Sequence, residues 1–172
     1  MALKSTRDEH CLYDSAGQPW NTGLGSYWIE YQTSQEEKEL LGRSRVLSAV
    51  KVKLGQDKHL ALFDTGSMNT VLSREQAEVL AEQGHLEWLD EWCTHHSMRG
   101  RQRAQYAKAD LTFVADLGGQ DLLLPDVTLV VPEDWTRLIV VGMRTCLERV
   151  RFALDSSLSS DVGLFYFAEK LP

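Results

Sequence analysis

The rhythm of apolar and polar residues changes near position 46. Before it the chain is polar and poor in aliphatic side chains, with Gly17, Pro19, Gly23 and Gly25 spread through it, which reads as loop. Tyr27-Trp28-Ile29-Glu30-Tyr31 suits a short strand, and Gln35 to Leu41, closed by Gly42, suits a helical turn. Residues 1–45 are therefore expected to form an arm packed on a domain of residues 46–172. From Val46, the positions Val50, Val52 and Leu54 lead into a turn at Gly55-Gln56-Asp57-Lys58. His59-Leu60-Ala61-Leu62-Phe63 follows as an apolar strand, so the pair predicts a hairpin. The second strand runs straight into Asp64-Thr65-Gly66-Ser67, and Thr70-Val71-Leu72 resumes the extended pattern.

Ser73-Arg74-Glu75-Gln76 is a capping box, with Ser73 as N-cap and Gln76 three residues on. It predicts a helix to about Gln83, stopped by Gly84. Leu86, Trp88, Leu89 and Trp92 fit a second helical piece, with Trp88 and Trp92 on one buried face. Ala107, Leu111, Phe113 and Ala115 then alternate with polar residues, the period of a strand with one face buried. Gly118-Gly119 turns the chain, and Leu122 to Leu124 and Val127 to Val131 are further strands. Leu138-Ile139-Val140-Val141 is a buried run ending at Gly142, and Arg144 to Arg149 suits a short helix. Arg151 to Leu154 and Leu164 to Phe167 close the chain as strands. The order is mainly β with two or three short helices.

Composition narrows the function. The chain has 172 residues and 43% hydrophobic side chains, enough for one domain with a real core. Its net charge of −7 argues against a general nucleic-acid binder. Three scattered cysteines, Cys11, Cys93 and Cys146, make no disulfide framework and suit reduced thiols. No apolar run has the length of a membrane span, and the first residues lack the apolar core of a signal peptide. The expected setting is the cytoplasm, with no membrane partner.

The chemistry lies at Asp64. An apolar strand delivers this carboxylate to the edge of the core. Peptide hydrolysis without a metal or a covalent intermediate needs one group to activate water and another to protonate the leaving amine. Two carboxyls held close can do both, because like charges that near cannot both ionise. Thr65 supplies a hydroxyl able to tie two such loops together. Gly66 lets backbone approach the carboxylates and offers its N–H, and Ser67 is placed to bond the outer oxygen of Asp64.

Phe63-Asp64-Thr65-Gly66-Ser67-Met68-Asn69-Thr70-Val71-Leu72-Ser73 resembles the active-site segment of retropepsin-like aspartic proteases. Val140-Val141-Gly142, before a short helix, resembles the second signature of that family. The resemblance covers about Val46 to Phe167 and implies a closed β-barrel lobe in which the Val140-Val141-Gly142 strand threads beside the Asp64-Thr65-Gly66 loop. It also implies aspartic endopeptidase activity on a peptide or protein substrate, with no metal and no other cofactor. Large aspartic proteases carry two Asp-Thr-Gly loops in one chain. This chain has one, and Asp155 precedes Ser156-Ser157 without Thr-Gly, so an active site requires a homodimer. Leu164-Phe165-Tyr166-Phe167, apolar on both faces, is a candidate for its interface.

Two stretches depart from that pattern or compete with it. Family flaps carry a glycine-rich tip, whereas Met98-Arg99-Gly100-Arg101-Gln102-Arg103 has one glycine and three arginines. Arg99, Gly100 and Arg101 are the flap candidates, and a solvated basic loop is the other reading. Cys93-Thr94-His95-His96 groups three metal-capable side chains, but no matching pair lies nearby in sequence, so no metal site is expected. A rival to the enzyme is a non-catalytic peptide-binding or dimerisation module built on the same fold.

Overall fold

The computed structural model describes residues 11–32, 45–97, 100–135, 138–156 and 162–170. The first strand, β1 (Gly23–Gln32), belongs to the segment read as an arm, yet it lies inside the sheet. The helical turn expected at Gln35 to Leu41 lies outside the described residues. β2 (Arg45–Leu54) and β3 (Asp57–Phe63) form the expected hairpin, with Leu54 opposite Asp57. Its two-residue turn needs Gly55, whose φ is +61°. Beyond β3 come β4 (Thr70–Val71) and α1 (Arg74–Glu82), then β5 (Leu86–Ser97), β6 (Gly100–Phe113), β7 (Gly118–Gly119) and β8 (Leu122–Pro132). β9 (Ile139–Val141), a 3-10 turn at Leu147–Arg149, β10 (Val150–Asp155) and β11 (Val162–Glu169) complete the order.

Six of these strands close on themselves. β2 pairs with β3, β3 with β9, β9 with β4, β4 with β8, β8 with β6, and β6 returns to β2. The result is a mainly β closed barrel, with one α-helix among the described residues, the class expected from the sequence. β2 shares one edge between two partners: its first half pairs with β1 and Val52 to Leu54 pair with β6. A smaller sheet of β1, β11 and β10 therefore leaves the barrel along β2. The inward residues of both parts make one core, including Val50, Val52, Leu111, Phe113, Leu129, Val141, Phe165 and Phe167.

The local elements follow their sequence signals. The Ser73 hydroxyl accepts the Gln76 N–H at 3.2 Å and caps α1. The helix ends in a Schellman motif: Gly84, at φ +75°, donates to Ala81 O at 3.0 Å and His85 donates to Leu80 O at 2.8 Å. No helix among the described residues is long and apolar enough to cross a membrane.

Three expectations are corrected. The helical piece at Leu86, Trp88, Leu89 and Trp92 is strand β5, paired along β6 with a bulge between Trp88 and Trp92. A spacing of four is even as well as helical, so it fits one face of either element. The two rings are held by guanidinium groups instead of a helix core: Arg74 lies 4.7 Å over Trp88 and Arg103 4.0 Å over Trp92. The helix at Arg144 to Arg149 is shortened to a 3-10 turn of three residues, because Thr145 sits at φ +58°. The C-terminal strand, read as a candidate interface, lies between β10 and β1 with both edges paired, and Leu164 to Ala168 are buried within the chain.

Asp116 ties the smaller sheet to β2. It accepts the Ser26 N–H at 2.8 Å and the Ser26 hydroxyl at 2.7 Å, and pairs with the Lys51 ammonium at 2.6 Å. Burial pushes its carboxyl up, but the Lys51 and Ser26 bonds outweigh burial and hold it below the usual carboxylate range. A carboxyl lowered in the fold stabilises above its unfolded pKa of about 4 and loses that contribution as pH falls through the folded value. Asp116→Asn is thus expected to lower the melting temperature at pH 7, with the gap to the parent shrinking below about pH 4. A gap as wide at pH 3 as at pH 7 would show that the charged form holds nothing.

Candidate active site

Asp64 stands at the end of β3, one residue past Phe63. Phe63 is 8% exposed and anchors the strand end in an aromatic cluster. Its ring meets Phe152 edge-on at 4.9 Å and Phe165 at 5.4 Å, and Phe165 in turn meets Phe113 at 5.5 Å. Such pairs add about 0.5–1.5 kcal/mol each beyond the area they bury. The strand therefore delivers Asp64 from a rigid base, while the Asp64 side chain itself is exposed.

The loop after Asp64 is fixed by backbone and short side-chain bonds. The Gly66 N–H donates to Asp64 Oδ1 at 2.9 Å, and the Ser67 N–H donates to Asp64 O at 3.1 Å. A Cβ on Gly66 would stand 3.2 Å from Asp64 Oδ1, so glycine keeps this approach open. The Ser67 hydroxyl, expected on the outer oxygen of Asp64, donates instead to Asn69 O at 2.8 Å and tightens the loop. Thr65 is exposed, and its hydroxyl has no partner among the described residues.

Val140, Val141 and Gly142 lie directly against this loop. β9 inserts between β3, to which it runs parallel, and β4, to which it runs antiparallel. Leu62 faces Val140 and Phe63 faces Val141, and the Asp64 N–H donates to Val141 O at 3.1 Å. Past β9, Met143 N–H bonds Ser67 O at 2.9 Å and Arg144 N–H bonds Met68 O at 2.8 Å. Gly142 is pressed against the loop from below. A Cβ there would stand 2.5 Å from the Asn69 carbonyl carbon, closer still to its oxygen, and 3.0 Å from Ser67 O.

Thr70 is a site residue that pattern reading passed over. It is fully buried, and its hydroxyl accepts the Gly142 N–H at 3.2 Å, locking the two signatures together. A polar side chain at the start of an apolar run was the available signal. Cys146 packs behind it. Burial pushes the Cys146 thiol up to about 12, against smaller lowering effects of Thr70 and Arg149, which makes it an inert core residue.

The flap candidates fall on the β5–β6 hairpin. Its strands pair out to Ser97 opposite Gly100, and Gly100, at φ +113°, and Arg101 are exposed at its tip. Arg99 lies outside the described residues. Cys93, His95 and His96 sit on β5, where successive side chains alternate faces, so the two histidines diverge. Among the described residues no three metal-capable side chains converge. His95 meets Trp135 edge-on at 6.0 Å, and burial, then His96, holds its imidazole below the usual value. A hollow of about 430 Å³ between α1, β3 and Leu138 has none of residues 64–66 in its lining.

The arrangement presents one exposed carboxylate on a backbone-fixed loop, with a free hydroxyl beside it. No family model matches the sequence, and no curated protein shows significant similarity to it. Among solved structures, the chain is similar to the crystal structure of a retropepsin-like aspartic protease from Rickettsia conorii, at 17% identity over 87% of this chain and 97% of that one, with a TM-score of 0.47.

Proposed function

We propose that the protein is an aspartic endopeptidase that acts as a homodimer, each chain contributing Asp64 to one shared site. The observation that supports this reading is the seating of the Asp64-Thr65-Gly66 loop on β9 and Gly142, which fixes a single exposed carboxylate at the end of a buried strand. One carboxylate cannot serve as both acid and base, and a twofold axis beside the loop supplies the second.

In the dimer the two Asp64 carboxyls share one proton, since both cannot ionise at that distance. The charged member takes a proton from the bound water, and the water oxygen attacks the scissile carbonyl carbon. The neutral member gives its proton to the carbonyl oxygen, forming a gem-diol. The carbon–nitrogen bond then breaks as a carboxyl proton passes to the leaving amine and a diol proton returns to the pair. Thr65 of each chain would bond the opposite loop and hold the carboxyls coplanar. The hairpin tip with Gly100 and Arg101 would cover the bound peptide. Cys11, Cys93 and Cys146, all free, suit the reducing cytoplasm.

The test is incubation of the purified chain with a mixture of unfolded proteins from acidic to neutral pH, with a chelator present, followed by mass spectrometry of new amino termini. Cleavage unaffected by the chelator is expected. Peptides retained by the dimer but never cut would favour a binding module on the same fold.

A further inference from the structure

We propose that Arg144 and the Tyr106 hydroxyl form a subsite for an acidic side chain of the bound peptide, so that the site prefers segments carrying glutamate or aspartate. This rests on the reading of the Asp64 loop as a peptide site, and it names the substrate class that the site takes.

Asp64 and Tyr106 share one face of the sheet. Ala61 and Phe63 of β3 belong to the core, so alternation turns Leu62 and Asp64 to the other side. On that side a row of paired residues crosses β9, β4, β8 and β6. Val140 stands opposite Leu62, Val71 opposite Val140, Val130 beside Val71, and Tyr106 opposite Val130. Along β6, Ala107, Ala109, Leu111 and Phe113 face the core, which again puts Tyr106 on the side of the row. The row thus runs from the hairpin of the flap candidates to the strand beside Asp64.

Arg144 is fixed against this face. Its N–H bonds Met68 O at 2.8 Å, on the loop that carries Asp64. The next residue, Thr145, stands at φ +58°, a left-handed conformation that a β-branched residue seldom adopts. Three bonds hold it there. The Thr145 hydroxyl accepts the Thr128 N–H at 2.9 Å and donates to Thr128 O at 3.4 Å, and the Thr145 N–H donates to Glu148 Oε1 at 2.7 Å. Thr128 lies two residues before Val130 on β8, on the side of the same row. Backbone strain held in place by its surroundings gathers at working sites, and here it sets the point from which the Arg144 side chain leaves the chain.

That side chain is exposed, and its guanidinium makes no ion pair and no hydrogen bond among the described residues. Its charge reaches across to Tyr106. The Cys93 hydrogen bond, then burial and the Cys93 charge, push the Tyr106 hydroxyl up, while the Arg144 charge pulls it down. A hydroxyl raised in this way keeps its proton at neutral pH and can donate it in a hydrogen bond. Met68, 66% exposed, adds an apolar surface next to the Arg144 backbone. A cation, a donor hydroxyl and an apolar surface together complement a carboxylate on a short aliphatic stem. A lysine or arginine in the same place would meet like charge.

Short labelled peptides of neutral sequence, carrying Glu, Gln or Lys at each position in turn, test the subsite in two assays. The parent is scored for cleavage, and the Asp64→Asn chain for binding by fluorescence anisotropy. At one position Glu is expected to exceed Gln by about tenfold or more, in kcat/KM with the parent and in affinity with Asp64→Asn. Arg144→Glu is expected to reverse that position in favour of Lys, a gain that a damaged fold would not produce. Tyr106→Phe is expected to lower the preference for Glu by about threefold or more without reversing it. Glu and Gln treated alike at every position in both assays, an Arg144→Glu chain that keeps the parent's order, or a Tyr106→Phe chain with the parent's full preference overturns the proposal. Binding of Glu peptides that Arg144→Glu reverses, in a protein that cuts nothing, would keep the subsite and discard the protease reading. Cleavage with no preference for Glu at any position would do the opposite.

Discussion

Asp64→Asn is expected to lower peptide cleavage by about a hundred- to ten-thousand-fold while the chain keeps its fold and its dimer. The substitution swaps a carboxylate oxygen for an amide of nearly the same size. Asp64 is exposed, and its Oδ1 already accepts the Gly66 N–H at 2.9 Å, a bond the amide oxygen of asparagine can keep. The loop geometry therefore has no reason to change. What is lost is the ability to take a proton from water and hand one to the leaving nitrogen. Thermal melting and light scattering should match the parent, and only the turnover number should fall. A variant that cuts as fast as the parent would remove Asp64 from the chemistry.

Gly142→Ala is expected to damage both stability and activity. The added Cβ would stand 2.5 Å from the Asn69 carbonyl carbon and 3.0 Å from Ser67 O, and both neighbours are backbone atoms. Backbone cannot swing aside as a side-chain end can, so the 67–69 turn or β9 must move. Overpacking of this kind typically costs about 1–3 kcal/mol. The turn being pushed also carries Ser67 and holds Asp64 through the Ser67 N–H to Asp64 O bond, so the carboxylate shifts with it. A displacement of about 1 Å at a catalytic group can cost roughly a hundredfold in rate. Urea unfolding and the cleavage assay measure the two effects separately. Parent-like values in both would mean that the contact between β9 and the Asp64 loop does not position the site.

The parts of the chain that spoke clearly in sequence are those whose signal is local. The β2–β3 hairpin, the cap at Ser73, the stop at Gly84 and the buried run before Gly142 each rest on a few adjacent residues, and each stands in the fold. β5 was obscured because its order comes from β6. As an end strand with a bulge it has no steady period of two, and its tryptophans are spaced for either element. The strand expected at Tyr27 to Tyr31 stands within β1, but the start of β1 was obscured by its glycines. Gly23 and Gly25 look like turn residues, but they serve close packing: a Cβ at Gly23 would stand 2.5 Å from Cζ of Phe167, and one at Gly25 2.8 Å from Val114 O. Those partners lie far along the chain, where no local pattern reaches. The bond of Ser67 to Asn69, and the burial of β11 within its own chain, likewise depend on tertiary placement.

The shared site itself is tested most directly by mixing. Parent and Asp64→Asn chains, unfolded together in known ratios at constant total protein and refolded, assort at random into dimers. If each site needs an Asp64 carboxyl from both chains, mixed dimers are inert and activity follows the square of the parent fraction, falling to about a quarter in an equal mixture. Activity that falls only in proportion to the parent fraction, to about half in the same mixture, would mean that each chain's Asp64 works on its own and would contradict the two-chain site.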